Sequence, residues 1–431
     1  MTSRSASTSG SLKMVLSIFG GSLSNLVEWY DWYAYSSFAL YFSKAFFPQG
    51  DRTTQLLNAA AVFAIGFLIR PLGSWLMGIY ADRVGRRAGM QLSMLIMGIG
   101  SLAVGVIPGY AAIGIASPIL LILARIIQGL SVGGQYGISA TYLSEISSKK
   151  RRGFLTSFLF VTQLIGLFFV MATLLLLQHF LPAGDLARWG WRIPFILGAL
   201  LAGLGLLVMT RIEETRSFEV VRSKSVKVAP WGTLFKYPRE FAIVFFLTMA
   251  GTIAFQNYAT YMPKFLVNTS GFTPDAAAQI ATGALVVFTL LHPLAGWLSD
   301  LFGRKALLVT YTALATLYTV PAMSALAHST SEFNAFLILT GAMIPLSLYT
   351  SISALFKAEL FPTEIRAFGV GLAHSLAVAV FGGTAELIAL WLKQQGEEPL
   401  YYWYMAGTLG VAFVTTLLMR DTKKFSRIEE A

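Results

Sequence analysis

The sequence predicts an all-α membrane protein with twelve transmembrane helices arranged in two six-helix halves. Three observations support this prediction: an apolar composition, twelve long apolar runs and a duplicated loop. Of the 431 residues, 55% are apolar and 12% are charged, and the mean hydropathy is +0.65. A soluble domain has about 25% charged residues. The composition is therefore too apolar to cover a surface that faces water.

Twelve apolar runs are long enough to cross a bilayer as helices, which takes about 20 residues. They are far longer than the roughly ten-residue strands of a transmembrane barrel, so helices are expected. The first run is too long for the apolar region of a signal peptide and is expected to be retained. The predicted spans are 15–43, 57–81, 89–107, 115–144, 153–180, 191–211, 239–268, 274–300, 305–327, 332–361, 366–394 and 399–419.

The basic residues are unevenly distributed between the two sides of the predicted membrane. Of 32 lysines and arginines, 24 fall at the termini and in even-numbered loops, with Lys357 counted in the loop after the tenth span. Because positive charge favours the cytoplasmic side, both termini are expected in the cytoplasm. This asymmetry accounts for the net charge of +11 better than nucleic-acid binding does, so no nucleic-acid partner is expected.

The chain lacks the residues that several functional classes require. The chain has no cysteine and four histidines, which disfavours disulfide frameworks, thiolate catalysis and clustered metal sites. It has no G-x-x-x-x-G-K-[ST] loop, so an ATP-driven pump is disfavoured. No nucleophile and base pair stands out. We therefore expect neither an enzyme nor a protein with a metal or cofactor.

The duplicated loop follows the second and the eighth predicted spans. Gly78–Arg87 reads GIYADRVGRR, and Gly296–Lys305 reads GWLSDLFGRK. Asp82 and Asp300 lie 218 positions apart. A second pair, Glu145 and Glu359 at the ends of the fourth and tenth spans, lies 214 positions apart. The repeat predicts halves at 1–211 and 239–431, joined by a cytoplasmic linker at 212–238.

The loop G-x-x-x-D-R-x-G-R-R resembles the signature of the major facilitator superfamily. Further segments resemble its metabolite:proton symporter subgroup, and within it the bacterial α-ketoglutarate permeases, along nearly the full length. These segments are Asn25–Tyr33, Arg125–Gly134, Trp189–Phe195, Tyr349–Ser353 and Phe381–Glu386. The resemblance implies the major facilitator fold and a transporter that works by alternating access.

The resemblance also implies a gate at the cytoplasmic end. Asp82 is expected to dock against the start of the eleventh helix, and Asp300 against the start of the fifth. A carboxylate at a helix N-terminus is electrostatically favoured. The alternative is that these loops only set topology and keep the surface solvated. The candidate gating residues are Asp82, Arg83, Arg86, Glu145, Asp300, Arg304 and Glu359.

Six ionisable residues fall well inside predicted spans: Glu28, Asp31, Arg70, Arg125, His374 and Glu386. A charge at the bilayer centre costs about 2.5–3.5 kcal/mol on insertion scales, so each needs a partner or a wet cavity. A guanidinium group can hold a carboxylate through two parallel hydrogen bonds. Two mid-depth arginines could therefore hold a dianion. Alternatively, Arg70 and Arg125 only neutralise Asp31 and Glu28, or Arg125 serves coupling.

The candidate substrate-binding residues combine these arginines with polar residues on the helices expected to line a cavity. A tyrosine at any one of these positions could equally serve helix packing or the interface belt. The candidates are Arg70, Arg125, Tyr30, Gln135, Tyr136, Gln163, Asn257 and Tyr258. His292 is expected to be a packing residue.

Proton coupling needs a carboxylate that can take up and release a proton during transport. The candidates are Asp31, ranked first, then Glu28 and Glu386. The close relatives carry a glutamate where this chain has Gln135, and glutamine cannot titrate. Either the proton site lies elsewhere or the chain is a variant with altered coupling.

Together these expectations describe a transporter of a dicarboxylate, α-ketoglutarate first, with protons. The alternatives are a symporter for citrate, shikimate or a zwitterionic osmolyte, an uncoupled variant, a channel, or a non-transporting sensor of the same fold. The expected partners are a small anionic metabolite, protons and the lipid bilayer. The expected location is the bacterial cytoplasmic (inner) membrane, and a monomer is expected.

Overall fold

The computed structural model describes residues 2–49, 52–223 and 230–428, and these residues form helices without strands. The first half contains the spans Thr2–Phe46, Arg52–Val84, Arg86–Val106, Ala116–Ile146, Arg152–Phe180 and Gly190–Met209. The second half contains Pro238–Asn268, Pro274–Phe302, Arg304–Ala327, Glu332–Leu360, Thr363–Gln394 and Glu398–Leu418. The short helices between them are Tyr110–Ile113, Ala183–Arg188, Arg216–Ser223 and Pro230–Leu234.

The twelve predicted spans are present, and their ends differ most at the first two helices. Ten helical stretches within the described residues are long and apolar enough to cross a membrane. The first helix, Thr2–Phe46, and the last, Glu398–Leu418, complete the twelve. The first helix begins before the predicted residue 15 because polar residues can continue a helix beyond the bilayer, so hydropathy marks only its buried part. The predicted linker includes residues 224–229, which lie outside the described residues, and its boundaries stay a prediction.

Small residues let the second and fourth spans pack backbone to backbone. A Cβ atom on Gly133 would collide with the carbonyl oxygen of Arg70, and one on Gly73 would collide with that of Leu130. Close packing of this kind is how helices associate in lipid, where no hydrophobic driving force acts between them. The contact holds Arg70 at a defined depth, facing the centre of the molecule.

The two halves touch along several helix pairs. The eighth span packs against the fifth, and the first part of the eleventh span, Arg366–Ala377, packs against the second and fourth. Large apolar side chains such as Leu68, Leu175 and Leu317 are exposed on the outside of the bundle, as expected for surfaces that face lipid.

Two spans change helical pitch beside the centre of the molecule. The seventh contains a π-helical turn at Gln256–Tyr261, and the eleventh contains one at Val378–Gly382. An extra residue in a turn rotates the side chains that follow it, and such turns are frequent at functional sites. Both turns lie beside the cavity described below.

Substitution of Gly133 by valine should destabilise the protein. The added side chain has to push the second and fourth spans apart, and overpacking of this kind costs about 1–3 kcal/mol. We expect a lower thermal unfolding midpoint in detergent. Gly407→Val is the matched control, because a Cβ atom on Gly407 would extend into open space. Equal midpoints for both variants would contradict the close-packing argument.

Candidate functional site

A cavity of about 500 Å³ lies between the two halves. This volume is within the usual range for sites that hold a small metabolite. Its wall includes residues from the first, second, fourth and fifth spans of the first half and from the seventh, tenth and eleventh spans of the second half. Polar residues in the wall include Arg70, Tyr136, Gln163, Gln256, Ser353 and His374.

Arg70 contributes a guanidinium group to the cavity wall that lacks a carboxylate partner within the described residues. The group lies 4.2 Å from the ring centre of Trp32 and 4.1 Å from that of Phe67. These cation–π contacts offset part of the cost of burying the charge. Its buried Nε and Nη2 atoms have no hydrogen-bond partner in the described part of the chain. Because Arg70 lines the cavity, its guanidinium group is a candidate donor to an anion that enters there.

Arg125 lies behind Trp32, outside the cavity wall. Its guanidinium group is 4.4 Å from the centre of the Trp32 ring, so Arg125 and Arg70 contact the same indole. Nη1 of Arg125 donates to Oε1 of Gln128 at 2.7 Å, and Gln128 in turn donates to Asp31. Asp31 also accepts a hydrogen bond from Ser101. Gln128 thus connects the buried carboxylate to the buried guanidinium, which the sequence alone did not predict.

Glu28 and Gln135 occupy a separate polar cluster in the first half. Oε1 of Glu28 accepts a hydrogen bond from Ser131 at 3.1 Å. Gln135 donates to Ser24 and, at 2.8 Å, to Ser139. Gln135 is buried within its own half and does not line the cavity.

Glu386 lies in the cavity wall, paired with Lys264. The two side chains are 34% and 55% exposed, respectively. The sequence prediction places Glu386 well inside its span. The structure places it in the last helical segment of that span, which begins at Ala385 after the π-helical turn, with its side chain partly exposed at the cavity wall.

Three further predicted substrate ligands point away from the cavity. Tyr30 donates to the carbonyl oxygen of Pro194, and Tyr258 to Thr319 at 3.5 Å. Asn257 contacts the sulfur of Met323. Asn257 and Tyr258 lie on the π-helical turn, which directs them toward their own half and directs Gln256 and Thr260 to the cavity wall. Of the eight predicted ligands, the structure brings Arg70, Tyr136 and Gln163 together at the cavity.

The position of Lys357 differs most from the sequence prediction. The count of basic residues assigns it to a loop, yet its side chain is fully buried. Nζ lies 3.2 Å from the hydroxyl of Tyr136 and 3.1 Å from Nδ1 of His374. The available signal was that residue 357 falls inside the predicted span 332–361. Arg366 is also buried rather than solvated, because it pairs with Glu145.

The end of the bundle that carries the duplicated loops is tightly closed by the aspartates. Oδ1 and Oδ2 of Asp82 accept hydrogen bonds from the backbone N–H groups of Ala367 at 3.1 Å and Phe368 at 2.9 Å. Asp300 accepts in the same way from Gly153 at 2.8 Å and Phe154 at 2.9 Å. Each carboxylate therefore lies at the N-terminus of a helix in the opposite half, where the helix dipole favours negative charge.

Buried ion pairs surround both aspartates. Arg86 contacts Asp82 at 3.2 Å and Glu145 at 3.4 Å. Arg304 contacts Asp300 at 3.3 Å and Glu359 at 3.5 Å. The two halves thus present matching sets of an aspartate, an arginine and a glutamate. Arg83, also predicted for the gate, is exposed.

A carboxylate from the segment after each half completes the pattern. Glu214 accepts from the backbone N–H of Arg87 at 3.0 Å, and Asp421 accepts from that of Arg304 at 3.1 Å. The glycine before each of these helices has a positive φ angle, 137° at Gly85 and 93° at Gly303. A side chain there would be strained and would displace the carboxylate. Burial raises the pKa of the Glu214 carboxyl above its usual range.

Known proteins are similar to this chain over nearly its whole length. The family model "Sugar (and other) transporter" matches residues 18–229 and again residues 219–430. The α-ketoglutarate permease of Escherichia coli K12 is 44% identical over 98% of this chain and 97% of its own length. A citrate-proton symporter of Klebsiella pneumoniae is 30% identical over 92% of this chain and 90% of its own length.

A solved structure has the same arrangement of helices. The proton:xylose symporter XylE superimposes with a TM-score of 0.82 at 17% identity, covering 97% of this chain and 98% of its own. At that identity the likeness concerns the fold alone. The family matches in both halves, the end-to-end relatives and the shared fold together establish that the chain belongs to the sugar (and other) transporter family of the major facilitator superfamily.

Proposed function

We propose that this protein carries a dicarboxylate, α-ketoglutarate, together with protons across the bacterial cytoplasmic membrane by alternating access. The observation that supports it best is the buried guanidinium group of Arg70, which faces a cavity between two halves without a carboxylate partner among the described residues. A permease named for α-ketoglutarate that is 44% identical from end to end supports the same substrate.

The charges around the cavity favour an anion. Arg70 lies in the wall, and the buried amino group of Lys357 lies directly behind Tyr136 and His374. Glu386 is the one acidic residue in the described wall, and Lys264 pairs with it. A guanidinium group binds carboxylate through charge-assisted hydrogen bonds, which are about twice as strong as neutral ones. We therefore propose direct substrate contact for Arg70, Tyr136 and Gln163.

Asp31 is the proposed proton carrier. Its carboxylate is buried and accepts hydrogen bonds from the neutral groups of Ser101 and Gln128, while Arg125 is reached only through Gln128. Protonation of Asp31 would remove the negative charge that Gln128 contacts. It would thereby weaken the hydrogen bonds that hold Arg125 next to Trp32. Because Trp32 also stacks on Arg70, a change at Asp31 has a short physical route to the cavity.

The closed end serves as the proposed cytoplasmic gate. If both termini lie in the cytoplasm, the contacts of Asp82 and Asp300 seal the inner side, and the partly exposed pair of Lys264 and Glu386 marks the outer opening. The two halves then rock about the cavity, breaking the contacts between each aspartate and the opposite helix. Glu145 and Glu359 stabilise the arginines of this gate.

Replacement of Arg70 by glutamine should abolish high-affinity uptake. Loss of one charge-assisted contact costs about 1.5–3 kcal/mol, or roughly ten- to hundredfold in affinity. The measurement is uptake of radiolabelled α-ketoglutarate into proteoliposomes, competed with citrate, shikimate and proline betaine. Arg188→Gln, at an exposed position, is the control. Full uptake by Arg70→Gln, or better competition by proline betaine than by the dicarboxylate, would contradict the proposal.

Replacement of Asp31 by asparagine should uncouple transport from the proton gradient. Asparagine keeps the hydrogen-bonding shape but cannot titrate. We expect uphill uptake driven by the gradient to be lost, while exchange of labelled for unlabelled substrate continues. Glu28→Gln and Glu386→Gln are the comparisons, since each retains gradient-driven uptake if Asp31 carries the proton. Unchanged gradient-driven uptake by Asp31→Asn would show that the proton binds elsewhere.

Neutralising Asp82 should open the closed end. Ser375 is buried where the eleventh span meets Ser74 of the second, and the chain contains no cysteine of its own. In Ser375→Cys protein, Asp82→Asn should raise the rate of labelling by a membrane-impermeant maleimide applied from the cytoplasmic side. Asp275→Asn, near the start of the eighth span at the opposite end, should leave the rate unchanged. Equal rates in all three proteins would rule out a sealing role for Asp82.

A further inference from the structure

Lys357 is a buried amino group that the gate and the Arg70 site leave unexplained. It lies in the last part of the tenth span, Ser353–Leu360, and its side chain is fully buried. None of the ion pairs within the described residues includes it. Burying an ammonium group at this depth costs free energy, so such groups are rare and usually belong to a binding site or a transport pathway. The chemistry around it therefore needs an explanation.

The neighbours of a protonated Lys357 can only accept its hydrogen bonds. An ammonium group has three donors and no acceptor. Its Nζ lies 3.2 Å from the Tyr136 hydroxyl and 3.1 Å from Nδ1 of His374. When Lys357 carries its third proton, both atoms act as acceptors. These hydrogen-bond directions determine which nitrogen of His374 carries a proton and where the Tyr136 hydroxyl proton can point.

His374 becomes a donor toward the cavity. A neutral imidazole that accepts at Nδ1 carries its proton on Nε2. The ring stacks on Tyr136 with centroids 3.6 Å apart and planes 13° apart, which holds its orientation. His374 is part of the cavity wall. Lys357 thus selects the tautomer that presents an N–H group.

Ser353 becomes a donor through Tyr136. Because the Tyr136 oxygen accepts from Lys357, its own proton is available to Ser353, whose Oγ lies 2.9 Å away. The serine hydroxyl then does not need to donate to Tyr136, and Ser353 also lines the cavity. Two hydrogen-bond chains therefore start at Lys357 and end at the cavity wall.

We propose that His374 and Ser353, polarised by Lys357, form a second carboxylate subsite on the second-half wall, opposite Arg70 on the first half. This proposal rests on the proposed dicarboxylate function and deepens it. One carboxylate of the substrate binds Arg70, and the other accepts hydrogen bonds from His374 and Ser353. Lys357 is a positioning residue, because it supplies charge and proton placement from behind the wall. A substrate with two carboxylates would then bridge the halves.

The test compares α-ketoglutarate with α-ketovalerate, which has the same five-carbon chain with a methyl group in place of the distal carboxylate. Binding to purified protein in lipid nanodiscs is measured by competition against radiolabelled α-ketoglutarate. Wild type should prefer α-ketoglutarate. In Lys357→Met, affinity for α-ketoglutarate should fall by about tenfold or more, while that for α-ketovalerate changes by less than about threefold. The readout is the ratio of the two affinities, which a general loss of structure would not change selectively.

Matched variants separate the subsite from the rest of the protein. Lys393→Met removes a lysine that contacts Asn268 and Glu398 outside the cavity, and it should keep the wild-type ratio. Ser353→Ala and His374→Gln remove one donor path each and should lower the ratio by smaller factors. These two variants test the subsite if Lys357→Met does not yield monodisperse protein.

The outcomes distinguish this proposal from the one on which it rests. If wild type binds α-ketoglutarate and Lys357→Met, Ser353→Ala and His374→Gln all keep the wild-type affinity ratio, the second subsite is overturned while the dicarboxylate function stands. The same conclusion follows if these variants lose affinity for both ligands equally. If wild type does not bind α-ketoglutarate, both proposals are overturned. A selective loss of dicarboxylate affinity supports the subsite.

Discussion

A bilayer provides no water to solvate a charge in its interior, and this constraint organises the centre of the protein. Asp31 is surrounded by the neutral donors Ser101 and Gln128. The guanidinium groups of Arg70 and Arg125 both contact the Trp32 indole, whose ring electrons offset part of the desolvation cost. Of the two arginines, Arg70 is the one in the cavity wall, which makes it suitable for a transient anionic partner.

The same constraint explains why the closed end can serve as a reversible seal. Asp82 and Asp300 are stabilised by backbone N–H groups of the opposite half, so breaking the seal exposes both carboxylates and helix ends to water together. The matching sets are not identical. Glu145 pairs with Arg366 as well as Arg86, whereas Glu359 accepts from Thr422 at 2.6 Å. Glu145 therefore makes an ion pair with the opposite half that Glu359 does not match among the described residues.

The sequence predicted the elements well because long apolar runs and repeated loops are local signals. It also predicted that Asp31 and Arg70 are buried charges, since a charge inside an apolar run stands out. It failed where side-chain direction depended on local helix geometry. The π-helical turn sends Asn257 and Tyr258 toward the ninth span and Gln256 toward the cavity. Nothing in a regular 3.6-residue period predicts such a rotation.

By itself, the sequence determined the number of spans, the duplication and the short inventory of ionisable residues at membrane depth. Hydrophobic length and charge are properties of single segments, and they can be read without knowing the neighbours. Only the tertiary structure decided which of these residues share a cavity. Lys357 contacts Tyr136 across 221 positions of sequence. That pairing depends on how the two halves dock and how each helix is rotated, because a buried charge takes its role from the groups packed around it.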